Sequence, residues 1–506
     1  MFRLAKKYAV FALCVLVLVG LAGCVPAVRS GAAYAAPLYG SEERADLPWY
    51  YGAEYLDIPT AVAAVGEWFG QGGDFSSAKD DPVVIAVIDT GINASHEIFG
   101  GEKYGDVLLR DGSGGVIGYN SAAESRNYAD DSSDGHGTHV AGIVASLIHA
   151  FGLEEYVKIM PVKASYKKWN GQSSFDYEDV EKAVDFALAN GADIVNMSLA
   201  ADSPSWEDVI AADDTERAVF VAAAGNHSGL FQNGYDSDKK KFYPAACENV
   251  IGVMNYEAVD GGISLKSSSN YGSAYDVCAP GTDIMSADAA TVDGYKTLSG
   301  TSMASPFVAF AAGLLQLRFA VDGDPSSRPD AESVRNAFSV HYTASLTYKG
   351  GDYGLLDMVS LASCRFAYGE EGEVFPVPDS VEIAREKGGK DDEYVFTALS
   401  ESPVLWDGFK YEWIFTADGE ATELYGKSVA FDFASFNGDI EVVLNVCVGD
   451  VRIATAVRLY ETAQPTDFAV PHDYGKGLVT VIALWISVGA VVALTVIACR
   501  IIAASK

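Results

Sequence analysis

Three residues in this chain have side chains that can work together on a carbonyl carbon. Asp89 closes the run VVIAVIDTG, His136 opens the small-residue stretch of DGHGTHVAGIVASL, and Ser302 lies in GTSMASPFVAF. A serine hydroxyl is a weak nucleophile until a neighbouring base takes its proton, and imidazole is the side chain best matched to that task near neutral pH. A carboxylate behind the imidazole orients the ring and stabilises it when charged. The order Asp, His, Ser is one of the known chain orders of this set. Each residue also has a plainer reading. Ser302 suits a helix N-cap, and a single histidine is usually structural. His136 and His139, three apart, resemble a metal pair, but HExxH is missing and no third ligand with suitable spacing is evident. The three residues in this order favour general-base chemistry.

Such residues need rigid elements to aim them. Val83 to Gly91 is a continuous apolar run ending at a carboxylate and a glycine, the signature of a strand buried on both faces. KIMPVKA, ADIVNMSL, AVFVAAAGN and NVIGVMNY repeat it, with a helix-like segment from Tyr177 to Asn190 between two of them. Strands alternating with helices predict an α/β domain around a mostly parallel sheet. In such sheets ligands bind at the carboxyl ends of the strands, where Asp89, Ser198 and Asn226 fall. Ser302 at a helix start would place its oxygen near backbone N–H groups and the positive end of the helix dipole.

VIDTGI, HGTHVAGI, NMSL, AAAGN and GTSMASP occur in the order found in subtilisin-like serine proteases, and the resemblance covers roughly residues 48 to 365. It implies that Ser302 attacks the scissile carbonyl, His136 shuttles the proton, Asp89 orients the imidazole, and Asn226 completes an oxyanion hole with the Ser302 N–H. It also places Ser198, Leu199 and Ala200 on an edge strand that pairs with substrate, opposite Ala224 and Gly225 across the first specificity pocket. Tyr177 is implied as the aromatic of a more distant pocket. Substrates would be extended polypeptide, held by main-chain hydrogen bonds.

Several features depart from the family pattern. Ala200 and Ala201 replace glycines of the usual SLGG stretch, and the added methyls predict a narrower cleft. The segment His227 to Pro244 is longer than usual and should carry the pocket floor near Phe242. Its Lys239, Lys240 and Lys241 could attract acidic residues, although charge runs are commonly solvated. No Asn-rich insertion follows HGTHVAGIVASL, so the tight calcium site of secreted subtilisins is expected to be absent. DDSSDGHG is acidic but lacks the alternating spacing of a calcium loop. Weak calcium sites stay open, and no cofactor is expected. LPWYYGAEYLDIPTAVAAV already resembles the start of a mature catalytic domain, so no prodomain is expected. With a C-terminal anchor, this resembles the membrane-bound mycosins.

Residues 1–36 have the layout of a secretory signal peptide: MFRLAKK, the apolar stretch Tyr8 to Ala22, then small residues. Two cleavage readings stand, a lipoprotein box at Leu21-Ala22-Gly23-Cys24 that would lipidate Cys24, and an A-x-A site at Ala33-Tyr34-Ala35. Leu478 to Cys499 carries no charge and precedes Arg500 and Lys506. At about 1.5 Å per residue it covers the ~30 Å hydrocarbon layer. The positive-inside rule then leaves residues 37–477 outside the cell, so the chain is expected at the cell membrane with one C-terminal span. Hydrophobic residues make up 49% and charged residues 21% of the 506, enough for two soluble cores. The net charge of −34 argues against nucleic acid or anionic lipid as the partner. Cys247, Cys278, Cys364 and Cys447 lack CxxC spacing and allow one disulfide or buried free thiols.

The expected organisation is a signal peptide (1–36), a protease domain with an N-terminal extension (37–371), a second domain (372–463), a tether (464–477), a transmembrane helix (478–499) and a cytoplasmic tail (500–506). In 372–463 the period changes: EYVFTAL, KYEWIFTADG, KSVAFDF and IEVVLNVCVG alternate apolar with polar residues between turns. That pattern predicts a small antiparallel β-sandwich, and WIFTADG followed by EVVLNV resembles the immunoglobulin-like PKD modules. A spacer or protein-binding role suits it. The function expected is a surface-anchored serine endopeptidase. The competing reading is a binding or scaffold protein that keeps the fold without turnover.

Overall fold

The computed structural model describes residues 48–472 apart from 71–75, 102, 170–171, 212–213, 228–232, 261, 323–333, 336, 339–344, 364, 369–373, 378–380, 390–392, 400–409, 418–419, 434–438, 449–450 and 461–469. The segment read as a signal peptide, Cys24, the apolar segment 478–499 and the segment read as a cytoplasmic tail lie outside the described residues. Among the described residues no helix is long and apolar enough to cross a membrane.

The apolar run Val83 to Asp89 forms strand β1 (Val83–Asp89), and all seven residues are buried. Its side chains alternate between two cores. Val83, Ile85 and Val87 face one, while Val84, Ala86 and Ile88 face the other. A strand covered on both faces has no need of polar alternation, which is why it reads as continuous hydrophobicity. Full burial of each Val or Ile stabilises the fold by roughly 1.5–3 kcal/mol relative to exposure.

Helix α1 (Ile58–Gly70) precedes β1. Beyond it come α2 (His136–Phe151), β2 (Val157–Lys163), α3 (Tyr177–Ala189), β3 (Ile194–Met197), β4 (Val219–Ala223), β5 (Val250–Val259), β6 (Val277–Pro280), α4 (Thr301–Asp322), β7 (Ser345–Tyr348) and β8 (Gly351–Leu355). The spatial order is β7, β8, β6, β5, β4, β3, β1, β2, then the short strand Tyr119–Asn120. All these pairs are parallel except β7 with β8, and Gly262–Leu265 adds antiparallel to β5. The chain moves from β1 outward to β2, then returns past β1 to β3. That reversal opens a crevice at the carboxyl end of β1, beside Asp89.

Helix α4 carries no polar stripe at its centre. Ala304, Phe307, Val308, Phe310, Ala311, Leu314 and Leu315 are all fully or almost fully buried. A helix apolar all round belongs inside the domain. It shares one core with α2 and the odd-numbered face of β1, while α3 packs in the other core.

A second core lies between two antiparallel sheets. One contains β9 (Glu382–Lys387), β10 (Glu393–Leu399) and β13 (Ser428–Asp432). The other contains β12 (Glu420–Tyr425), β11 (Lys410–Ala417), β14 (Ile440–Val448), β15 (Val451–Tyr460) and β16 (Val470–His472). Phe396, Trp413, Phe415, Phe431 and Leu444 meet there, with the Phe415 and Phe431 rings stacked 4.1 Å apart. β16 falls inside the segment read as a tether. It is a short edge strand, where Pro471 takes away a ladder donor at little cost. Cys247 and Cys278 are buried free thiols, so they form no disulfide.

Phe310→Ala should destabilise the protein by about 3–5 kcal/mol through loss of buried area and a residual cavity. Its denaturant midpoint should fall with little change in slope.

Candidate active site

β1 delivers Asp89, only 1% exposed, to the crevice. Its Oδ1 accepts from the Thr90 N–H at 2.7 Å, and His136 Nδ1 lies 2.7 Å away, where the ring N–H donates to it. The structure therefore joins two of the three sequence-chosen residues directly.

His136 is held by the start of α2. The N-cap position, Gly135, has no side chain and sits at φ 58°. A Cβ there would stand 2.6 Å from that of Ala289, and one on Gly137 would stand 2.3 Å from the Gly91 carbonyl oxygen. These glycines let the helix start press against the end of β1. Capping comes instead from upstream side chains. Ser132 Oγ accepts the His136 N–H at 3.2 Å, and Asp130 Oδ2 accepts the Thr138 N–H at 3.0 Å and its hydroxyl at 2.7 Å. Asp130 Oδ1 accepts the Thr90 hydroxyl at 3.1 Å, while Thr90 Oγ1 accepts the Gly137 N–H at 2.8 Å. Asp130 thus ties the residue after Asp89 to the first turn of the helix bearing His136. Sequence reading missed it, because an acidic stretch such as DDSSDGHG looks like a solvated loop.

His139 has a different fate. It is fully buried, and its Nε2 lies 3.1 Å from both the Ile284 and Lys296 carbonyls, so the ring donates there. Burial pushes its pKa down to about 4. The two histidines do not share a metal site.

Burial also disfavours the imidazolium of His136, but the charge and hydrogen bond of Asp89 outweigh it, helped by Asp134 and Asp130. The net pKa is raised to about 9.

Ser302 occupies the first turn of α4, but its hydroxyl donates to the Ser198 carbonyl at 3.1 Å rather than to His136. Conversely, the Ser198 hydroxyl donates to the Ser302 carbonyl at 2.9 Å. Pro306 explains that carbonyl's freedom, since proline has no N–H to bond residue i−4. Asn226 is exposed just past β4. Its Oδ1 accepts the Thr301 N–H at 3.1 Å, leaving Nδ2 as a donor beside Gly300, where an added Cβ would approach it to 3.1 Å. Thr301 Oγ1 accepts the Gly225 N–H at 3.1 Å.

Ser198, Leu199 and Ala200 lie just beyond β3, a central strand, and carry no strand pairing of their own. The Ser198 side chain faces Ser302 and Ser305. Ala200 stands across from Gly225, and Ala224 is buried behind it. The Tyr177 hydroxyl donates to the Asp208 carbonyl at 2.9 Å, and its ring meets Trp206 edge-on. Lys239 pairs with Asp236 and Lys240 with Asp202, so neither presents an uncompensated charge.

The family model described as "Subtilase family" matches residues 80–329. A thermophilic serine proteinase from Bacillus sp. (strain AK1) is 37% identical over 239 residues, covering 46% of this chain and 51% of the relative. Subtilisin DY from Bacillus licheniformis is 35% identical over 245 residues, covering 48% of this chain and 79% of the relative. The cell wall-associated protease of Bacillus subtilis (strain 168) is 32% identical over 245 residues, 47% of this chain but 24% of that protein. The chain thus spans about half the length of the first relative and most of the second. It belongs to the subtilase family, and the matched region is its serine endopeptidase domain.

The raised His136 value has a definite sign. The folded pKa exceeds the unfolded one, so protonated His136 adds stability below about pH 6.5, and this is lost as pH rises through about 9. In a Ser302→Ala background, NMR should show His136 titrating above 6.5. Adding Asp89→Asn should lower that midpoint, because burial then acts with less opposition. An unmoved midpoint would contradict the charge assignment.

Proposed function

We propose that this protein is a cell-surface serine endopeptidase that hydrolyses exposed extracellular polypeptides. Ser302 Oγ attacks the scissile carbonyl. His136 Nε2 accepts the hydroxyl proton and returns it to the leaving amine, while Asp89 holds the opposite ring N–H. The tetrahedral oxyanion is met by Asn226 Nδ2 and the Ser302 N–H. Loss of one such donor costs about 10² to 10³ in turnover, a magnitude known from a subtilisin. Water then releases the acyl group by the same proton route in reverse.

The observation that carries this reading is the 2.7 Å contact between Asp89 and His136 at the crevice. In the resting arrangement the Ser302 hydroxyl donates to the Ser198 carbonyl instead. Rotation about the Ser302 Cα–Cβ bond would redirect the hydroxyl toward His136. The same Ser302 orientation also favours a second reading, a silent subtilisin-fold binding protein.

Anchoring rests on the apolar segment 478–499, and a surface location agrees with the name of the cell wall-associated relative. The two-sheet domain, read as PKD or immunoglobulin-like, serves as a spacer or protein-binding module.

Labelling with a fluorophosphonate probe should occur in the wild type and vanish in Ser302→Ala and His136→Ala. A folded wild type that resists labelling at pH 7 and pH 9 would favour the silent reading. Cell fractionation should place the full chain with membranes, and removal of residues 478–499 should release the remainder into the medium. Release of an unclipped full chain would sink the anchor assignment.

A further inference from the structure

We infer that the first substrate pocket is closed to large side chains by Phe242, so that this protease cuts after small residues such as alanine, serine and glycine. This rests on the proposed endopeptidase function and specifies its substrate class.

The two pocket walls come from opposite sides of the crevice. On one side Gly225 follows β4, and on the other Ala200 follows β3. A Cβ added to Gly225 would stand 2.8 Å from Asn270 Nδ2, 3.0 Å from the Ala200 Cβ and 3.6 Å from Cδ1 of Phe242. One methyl group would therefore fill the gap. An aromatic ring held between two walls needs about 3.5–4.0 Å to the atoms on each of its faces. The walls leave no such slot, and the Phe242 ring borders the same space.

Phe242 is braced where it stands. Its ring stacks on Tyr235 with centroids 5.5 Å apart. The Lys240 ammonium lies 5.2 Å from the Phe242 ring centroid and 4.9 Å from that of Tyr235, and it pairs with Asp202 at 2.7 Å. The next residue, Tyr243, exchanges two main-chain hydrogen bonds of 2.8 Å with Ala201, the neighbour of Ala200. That bridge ties the main chain beside Phe242 to the main chain beside Ala200, so the floor and one wall share a backbone connection. Because Asp202 already compensates Lys240, the site has no uncommitted cation there to draw an acidic side chain.

The test uses the purified protein and peptides that differ only at the residue before the scissile bond, with fluorophosphonate labelling in parallel. Wild type should cleave after Ala or Ser at least about tenfold better, by kcat/KM, than after Phe, Leu or Glu. Phe242→Ala should raise the ratio of kcat/KM after Phe or Leu to that after Ala at least about tenfold. Ala200→Gly, which opens the slot from the other wall, should shift the preference the same way and guards against misfolding of the first variant. A labelled wild type that prefers Phe, Leu or Glu would overturn this inference alone, as would variants with an unchanged Ala-to-Phe ratio. A folded wild type that neither labels nor cleaves would overturn the functional proposal and this inference with it.

Discussion

A carboxylate buried at the end of a central strand is the constraint around which the protease domain is arranged. Asp89 is nearly inaccessible, and among the described residues its Oδ2 has no hydrogen-bond partner. Taking an ionised carboxylate out of water is costly unless charge and hydrogen bonds compensate it. Here the compensation rests on the Thr90 N–H and the His136 ring. The arrangement therefore favours a proton on Nδ1 of His136, which is the tautomer a base acting through Nε2 requires. Removing the ring would leave a buried charge rather than merely a missing base.

A second buried charge steadies the first. Lys163 ends β2 in register with Asp89, is 5% exposed, and donates to the Thr90 carbonyl at 3.1 Å while pairing with Asp131. Asp130, one residue earlier, holds Thr90 and Thr138. Two consecutive aspartates thus fasten one loop to a strand end and a helix start, opposite the packing of Gly137 against Gly91. The position of His136 relative to Asp89 is fixed from both sides by short-range, mostly half-buried polar contacts.

This division explains what could be read from the chain. VVIAVIDTG was legible because a strand buried on both faces must be apolar throughout, and the strand ends follow from where the run stops. The buried glycine-flanked helix starts at His136 and Ser302 were legible for the same reason. Asp130, Lys163 and Ser198 were not legible in these roles, because their partners lie up to 107 residues away in sequence. A local pattern records what a segment needs, not which distant atom supplies it.

The pairing of Ser198 with Ser302 links the two halves of the crevice more tightly than separate contacts would. Pro306 removes an N–H from the interior of α4, normally a destabilising change, and so exposes the Ser302 carbonyl one turn earlier. Ser198 fills that vacancy with its hydroxyl and offers its own carbonyl to the Ser302 hydroxyl. Because Ser198 leads into Ala200 through Leu199, the proposed pocket wall and the proposed nucleophile are joined through one pair of residues. A side chain that forced the wall outward would then displace Ser302 as well, and a shift of about 1 Å at a reacting atom can cost on the order of 10² in rate. Selectivity in such a site arises in the chemical step as much as in binding, since an oversized residue that gains entry also misaligns the oxygen that must attack it.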